Sequence, residues 1–439
     1  MRFRNPLCDH PGTGGRYFLT AGCIFLFLGI PSVLFGQQTA RALGMGEAYT
    51  ALARGVHAPA WNPANLGLPD NPRFSMTFVS AGAGVWNNSF SKSLYDKYNG
   101  EYLSSRDIDD ILSHIPDGGL DVDGGVSARV LSFSTNRFAF SMGADGGSFF
   151  RVDKTLFDLA LEGNETDRTY SLGNTEGGGV GVGVVGLSWG QPVRVSFADA
   201  FAVGGTLHFL YGIGYAESDK ADFTLDMREY DFDLNGEYEV THALGGLGWG
   251  LDLGAALQFG DEWTVSLGLA NLLGSIPWSR EVEKEKGYVQ GDSLAVWDFD
   301  DDLADSSWTA SASEFSTKLP TVLRLGCSHR EGSVLVTGDY RQGFCDGPMT
   351  RTRPRVAVGA EWSAVKWFPL RTGMVLGGRT GFGTSLGFGL RTGGFVFDVG
   401  MLSRGFAFPG SSKGYVFGLE FGMELGKPVP AVVPIDDSD

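Results

Sequence analysis

The chain has 439 residues, among them Gly 66 and Phe 32, with a charged fraction of 19% and a formal net charge of −17. This mixture is poor in helix formers, too aromatic for a disordered chain and without the G-x-y period of collagen, which leaves a globular or membrane β protein. The acidic balance argues against nucleic acid as a partner.

At the N-terminus, Arg2, Arg4 and Arg16 flank the apolar run "YFLTAGCIFLFLGIPSVLFG", Tyr17 to Gly36, broken at Pro31. A basic flank followed by an apolar core reads as a secretory signal peptide over residues 1–36, with an uncleaved anchor helix as the alternative. Cys8 and Cys23 fall inside it, so Cys327 and Cys345 remain, and whether they pair stays open.

Residues 37–71 fit neither a strand nor a clean amphipathic helix. In "ARALGMGEAYTALARGVHAPAWNPANLG", Ala40 to Gly67, small residues permit close backbone packing, Gly44 and Gly46 permit bends, and Pro59 and Pro63 stop helix or strand. Asn62 before Pro63 and Ala64 favours a turn. Such a segment suits a hatch folded inside a barrel, or else an ordered arm against the barrel's end.

Beyond it the period is two. In "FAVGGTLHFLYGIGY", Phe201, Val203, Leu207, Phe209, Tyr211, Ile213 and Tyr215 share one face, opposite Gly, Ala, Thr and His. "LGWGLDLGAALQF" repeats the pattern, and after the turn "GDE" Trp263, Val265, Leu267 and Leu269 resume it as a hairpin. The last strand, "GYVFGLEFGMEL", sets Tyr415, Phe417, Leu419, Phe421, Met423 and Leu425 against Val416, Gly418, Glu420, Gly422 and Glu424.

Half-greasy strands build either a soluble sandwich or a membrane barrel. Bulky aromatics on one face, Gly and Ala on the other, segments of roughly 10 residues, and short turns ("GDE", "EGS", "TGG") alternating with long polar stretches such as Ser275 to Thr317 select the barrel. Strand starts are expected near residues 73, 126, 137, 147, 180, 201, 222, 246, 263, 321, 333, 355, 369, 384, 394 and 415. The expected fold is all-β: a transmembrane antiparallel up-and-down β-barrel over residues 72–426, of about 14 strands within an even range of 12 to 16. Residues 427–439, Pro-rich and acidic, read as a flexible periplasmic tail.

Several motifs invite chemistry. "GVGVVG", Gly181 to Gly186, matches a dinucleotide fingerprint but sits in an alternating strand, where glycines facing a crowded lumen explain it better. "WDFDDDLAD", Trp297 to Asp305, lacks the spacing of a calcium loop and reads as a solvated loop. The six His are dispersed without a catalytic or zinc pattern, so the reading carries no enzyme activity, cofactor or metal. By parity Glu361, Arg371, Arg391, Asp398, Glu420 and Glu424 face the lumen, as a cross-strand ladder or as the lining of a wet passage.

The opening segment resembles the N-terminal region of the FadL-like outer-membrane proteins, the long-chain fatty acid transporters and their PorV/PorQ-type relatives. The resemblance rests on Gly44, Met45, Gly46, Ala48 and Ala51, and on Asn62-Pro63-Ala64 after Trp61, with similar phrases at "SLGLANLLG", "LPTVLRLG", "GDYRQGF" and "VAVGAEW". It implies export to the outer membrane of a Gram-negative-type bacterium, a barrel closed by an N-terminal hatch, and passage of small hydrophobic molecules gated near Gly44, Gly46, Asn62, Pro63 and Ala64. The alternative is a non-transporting barrel that anchors surface proteins or serves a secretion machine. Two departures stand out: Glu47 sits where a small residue is common, and the chain continues past its last strand instead of ending on an aromatic residue.

Overall fold

The computed structural model describes residues 39–295, 304–345, 352–378, 381–406 and 410–426. The expected signal peptide, the expected tail and the Asp cluster up to Leu303 lie outside the described residues.

The chain enters as the hatch: helix α1 (Ala40–Gly44), a 3-10 turn (Gly55–His57), helix α2 (Ala58–Trp61) and a second 3-10 turn (Pro63–Gly67). The Thr39 hydroxyl caps α1 by accepting from the Ala42 amide. Pro63 opens the second turn at a position where its missing N–H costs nothing.

Strands follow. β1 (Phe74–Asn87), β2 (Leu120–Thr135) and β3 (Phe138–Val152) begin a wall, and the short β4 (Arg168–Ser171) stands outside it. β5 (Glu176–Val193) and the long β6 (Ala200–Met227) continue the wall, while β7 (Asp231–Leu244) doubles back on the far half of β6. After β8 (Leu247–Phe259) and β9 (Trp263–Trp278), three strands leave the wall: β10 (Arg280–Ala295), β11 (Ala304–Ser311) and β12 (Phe315–Lys318). β13 (Val322–Glu331), β14 (Val334–Gly343), β15 (Arg355–Trp362), β16 (Leu370–Gly377), β17 (Gly381–Thr392), β18 (Phe395–Arg404) and β19 (Gly414–Leu425) complete it. β19 pairs back on β1, with Phe74 opposite Leu425 and Trp86 opposite Gly414, so the wall closes as a 14-strand antiparallel barrel. Closure leaves no unpaired edge for lipid to solvate.

Two expected starts merge into neighbours: 137 and 147 both fall in β3, and 201 and 222 both in β6. The polar stretch from Ser275 to Thr317, expected as a long loop, instead carries the end of β9 and strands β10 to β12. These strands project beyond the wall; β11 is exposed throughout, and β10 buries Val282 and Leu294 without an apolar alternation to mark it. Lys284 bridges Asp219 and Glu239, and Lys286 also pairs with Glu239. Helices α3 (Lys92–Tyr98), α4 (Ser105–Ser113) and α5 (Lys154–Leu161) lie in the connections at the same end. At the opposite end the tight turns "GDE", "EGS" and "TGG" join β8 to β9, β13 to β14 and β17 to β18.

The wall inverts a soluble core. On β6 the apolar Leu207, Phe209, Tyr211 and Ile213 are exposed, while Thr206 and Leu210 between them are buried; on β19 Phe417, Leu419 and Phe421 are exposed and Glu420 is buried. Greasy side chains outside and polar ones inside are the signature of a membrane-spanning barrel. "GVGVVG" lies within β5, hydrogen-bonded to β3 and β6, with no helix opening on it. Cys327 and Cys345 are both exposed free thiols.

Candidate functional site: the hatch and its seat in the wall

The hatch lies inside the barrel, and its backbone presses against a belt of wall glycines that face each other across the strands. Gly359 pairs with Gly373, Gly387 with Gly400, Gly190 with Gly204, and Gly254 with Gly268. A Cβ on Gly359 or Gly373 would lie 2.5 Å from the Met45 backbone, and one on Gly254 would lie 1.9 Å from Asn62 Oδ1. The abundance of Gly therefore has a local cause: the hatch occupies the space that side chains would fill.

On the β15–β18 side the hatch is held by charge. Arg41 on α1 donates from Nε and Nη2 to the two Glu361 oxygens, at 3.1 and 3.0 Å. Arg371 donates to Glu361 at 2.7 Å and to Asp398 at 2.6 Å, and Arg391 donates to both Asp398 oxygens at 2.9 Å. Four of the six charges expected in the lumen thus form one chain with Arg41. Gly46 and Glu47 both adopt positive φ, 64° and 60°, which turns the Glu47 carboxylate onto Arg355. Arg355 also donates to the Gly46 carbonyl at 2.9 Å, and Ser385 donates to the Gly44 carbonyl at 3.0 Å.

On the β5–β9 side the hatch is held by neutral groups. Asn62 accepts from the Ala64 amide at 3.0 Å and donates to the Ala255 carbonyl at 2.9 Å. Asn65 donates to the Thr50 and Ala53 carbonyls, each at 2.9 Å, and accepts from Ser266 at 3.0 Å. Pro63 and Ala64 stack directly on Gly204. Between the two sides, Asp339 accepts from the Tyr49 and Thr50 amides at 3.0 and 2.8 Å, and Arg324 donates to the Ala60 carbonyl.

The other two expected lumen charges stand apart from the chain. Glu420 accepts from Thr77 at 3.0 Å and lies 3.2 Å from His57 Nε2. Burial pushes the His57 imidazole down to about 4, so a neutral ring meets Glu420 near neutral pH. Glu424 lies at the turn end, on the rim of a polar vestibule of about 400 Å³ that Arg41, Arg54, Asp70 and Arg330 also line. Deeper in the lumen the openings shrink. One of about 50 Å³ lies among Ala60, Val184, His208, Leu210, Asp252 and Leu319, and one of about 10 Å³ lies beside Glu47 and Trp61. Among the described residues no group of three or more His, Cys, Asp or Glu is placed to hold a metal.

Arg41, Arg355, Asp339, Arg324, His57 and Asn65 were not among the expected site residues. Arg355 shares its face of β15 with Glu361, and Arg324 and Asp339 lie on the inward faces of β13 and β14, so strand parity points to all three; for the hatch residues Arg41, His57 and Asn65, only the partner across the lumen shows the role.

With the geometry in place, comparison with known proteins gives a family. The model of "Family of unknown function (DUF5723)" matches residues 59–244 and 230–401. The chain belongs to that family. No curated protein matches the chain. Among solved structures, the DUF5723 barrel is similar to the deltaS2S3 mutant of the TodX monoaromatic hydrocarbon channel, at a TM-score of 0.51 and 11% identity over 89% of this chain and 99% of that one. It is also similar to the Ralstonia pickettii toluene transporter TbuX (TM-score 0.49, 13% identity, 89% and 99% covered) and to a Pseudomonas aeruginosa FadL homologue (TM-score 0.49, 14% identity, 90% and 99% covered). At such identities the likeness to TodX speaks to the fold.

Proposed function

We propose that this protein is an outer-membrane barrel of the FadL-like type, closed by its seated hatch, that passes a small hydrophobic molecule when the hatch leaves its seat. The observation that carries this reading is the seat itself. A short chain segment fills a closed wall and is held there by ion pairs and hydrogen bonds alongside the packing of Leu43 and Ala48 against the wall. The fold shared with a barrel titled as a hydrocarbon channel supports the same reading. Gly44, Gly46, Asn62, Pro63 and Ala64 are the pivot residues of the proposal.

A second reading, a non-transporting anchor or secretion component of the PorV/PorQ type, draws on one specific observation. Two openings beside the hatch, about 50 and 10 Å³, are smaller than the roughly 150 Å³ cavity that takes up benzene. Passage through either of these two requires the hatch to move, whereas anchoring does not.

The two readings separate in one experiment: the full chain is purified from outer membranes in mild detergent, its co-purifying small molecules are identified by mass spectrometry, and liposomes carrying it are assayed for toluene efflux. A bound lipid-like molecule together with protein-dependent efflux supports passage. Absence of both, with a surface protein retained on the barrel, supports the anchor.

A further inference from the structure

The two neighbouring glycines Gly204 and Gly205 on β6 differ in why they lack a side chain. Gly204 faces the lumen, and a Cβ there would lie 2.6 Å from the Ala64 amide of the hatch. Gly205 faces outward, and a Cβ there would meet Asp252 O at 3.4 Å and Leu253 Cδ2 at 3.5 Å, ordinary contacts that exclude nothing. Packing within the protein explains the first glycine and leaves the second unexplained.

What Gly205 leaves is a groove of about 610 Å³ on the outside of the wall, walled by Phe133, Phe138, Phe140, Trp189 and Leu207. That volume falls within the roughly 300–1,000 Å³ of sites that hold small ligands. In the strand register Gly205 lies opposite Trp189, whose other neighbour is Phe138, and Phe133 stacks on Phe140 with ring centroids 5.5 Å apart. Along this register row the bulky run of Phe138 and Trp189 breaks at Gly205 and resumes at Leu253. The walls are aromatic or aliphatic, and the groove is continuous with the exposed apolar belt of β5, β6 and β8. It sits toward the turn end, near the two-residue turn between β2 and β3 and the connection between β5 and β6. Its occupant must be apolar, slender and supplied by the bilayer.

We propose that this groove binds a single acyl chain of a bilayer phospholipid, in the leaflet at the turn end, as a fixed site on the wall. The proposal rests on the membrane-spanning fold and is independent of whether the barrel transports or anchors. Long-lived burial of one chain against aromatic walls gives the site its retention, because dispersion contacts with rigid rings replace those with mobile neighbouring chains.

The test uses the full chain in phospholipid nanodiscs, then stripped stepwise with detergent and weighed by native mass spectrometry. The wild type retains one phospholipid after bulk lipid is gone. Gly205→Leu, which fills the groove, loses it at the same detergent step, while Gly338→Leu, at an open outward position on β14, keeps it. As a second readout, phospholipid brominated along its acyl chain quenches a component of tryptophan emission that Trp189→Phe removes and Gly205→Leu protects. Equal lipid retention by wild type and Gly205→Leu overturns the proposal. So does a wild-type dimer that Gly205→Leu abolishes, since the occupant is then a second copy. Failure of the protein to enter nanodiscs at all refutes the membrane reading, a different result from either.

Discussion

The two sides of the hatch seat are built from opposite chemistry. Along β15 to β18, α1 meets a chain of buried charges running Arg41, Glu361, Arg371, Asp398, Arg391. Along β5 to β9, the Asn62–Gly67 turn meets glycine backbone and amide groups, with Asn62 and Asn65 fully buried and each both donating and accepting. Buried charges gain little over apolar packing when intact but cost heavily when one partner is lost. Neutral close packing is insensitive to salt and pH and sensitive to a single added carbon. The charged side is thus the side that a change of conditions can open, and the glycine side is the side that shape alone holds.

The largest effect tests that contrast at its centre. Arg371 bridges Glu361 and Asp398 and is itself fully buried at the side chain. Arg371→Met leaves two carboxylates short of a partner and should cost about 3–5 kcal/mol, read by chemical unfolding of the detergent-solubilised barrel. A cost below about 1 kcal/mol, the level of an exposed pair, removes the claim that this chain of charges holds the seat.

Next in size is the response to pH. His57 is neutral in the docked hatch because burial pushes it down to about 4; the charges around it act less strongly, Glu424 and Asp398 upward, Arg41 and Arg391 downward. A released hatch exposes the ring, which then titrates near its ordinary value of about 6.5. Between those values the released state binds the extra proton, so the contribution of His57 to docking is fully present above about pH 6.5 and is lost as pH falls toward 4, about 3 kcal/mol at most. Trypsin cleavage at Arg54, divided by the rate on an unfolded reference peptide at the same pH, should therefore rise as the digestion pH is lowered, with the slope flattened in His57→Gln. An unchanged slope in that variant assigns the pH response elsewhere.

How far the sequence reveals this seat depends on whether a residue carries its own context. Period two exposes the wall, and parity alone places Glu361, Arg371, Arg391, Asp398 and Glu420 inside it, because a strand fixes which face each residue takes. The same rule fails beyond the membrane: "REVEKEKGYVQ" in β10 carries charged residues on both faces and buries Val282 alone of its apolar side chains, so nothing apolar marks its period. It overcounts in β3 and β6, where glycine and polar residues inside one long strand resemble a break. In the hatch, small residues and Pro declare a segment that packs closely, but not what it packs against. The roles of Asn65 and Asp339 depend on Ser266 and on the Tyr49 and Thr50 amides, contacts between residues more than 200 positions apart.

The smallest effect probes the glycine side, and its value lies in the coupling. Asn62 caps the turn that carries Pro63 and Ala64, and its Oδ1 lies where a Gly254 Cβ would be, 1.9 Å away. Gly254→Ala alone should cost about 1–3 kcal/mol by overpacking. Asn62→Ala alone should cost about 1 kcal/mol for the lost cap and for the Ala255 carbonyl left without its donor. Because Asn62→Ala removes the very atom that the new methyl strikes, the double variant should be less damaged than the two costs added together. The double-mutant cycle, measured by unfolding and by trypsin access to Arg54, gives a coupling above about 0.5 kcal/mol when the clash is the cause. Strict additivity means that Gly254 matters for the strand's own backbone, and the contrast between a charged side and a shape-held side then loses its second half.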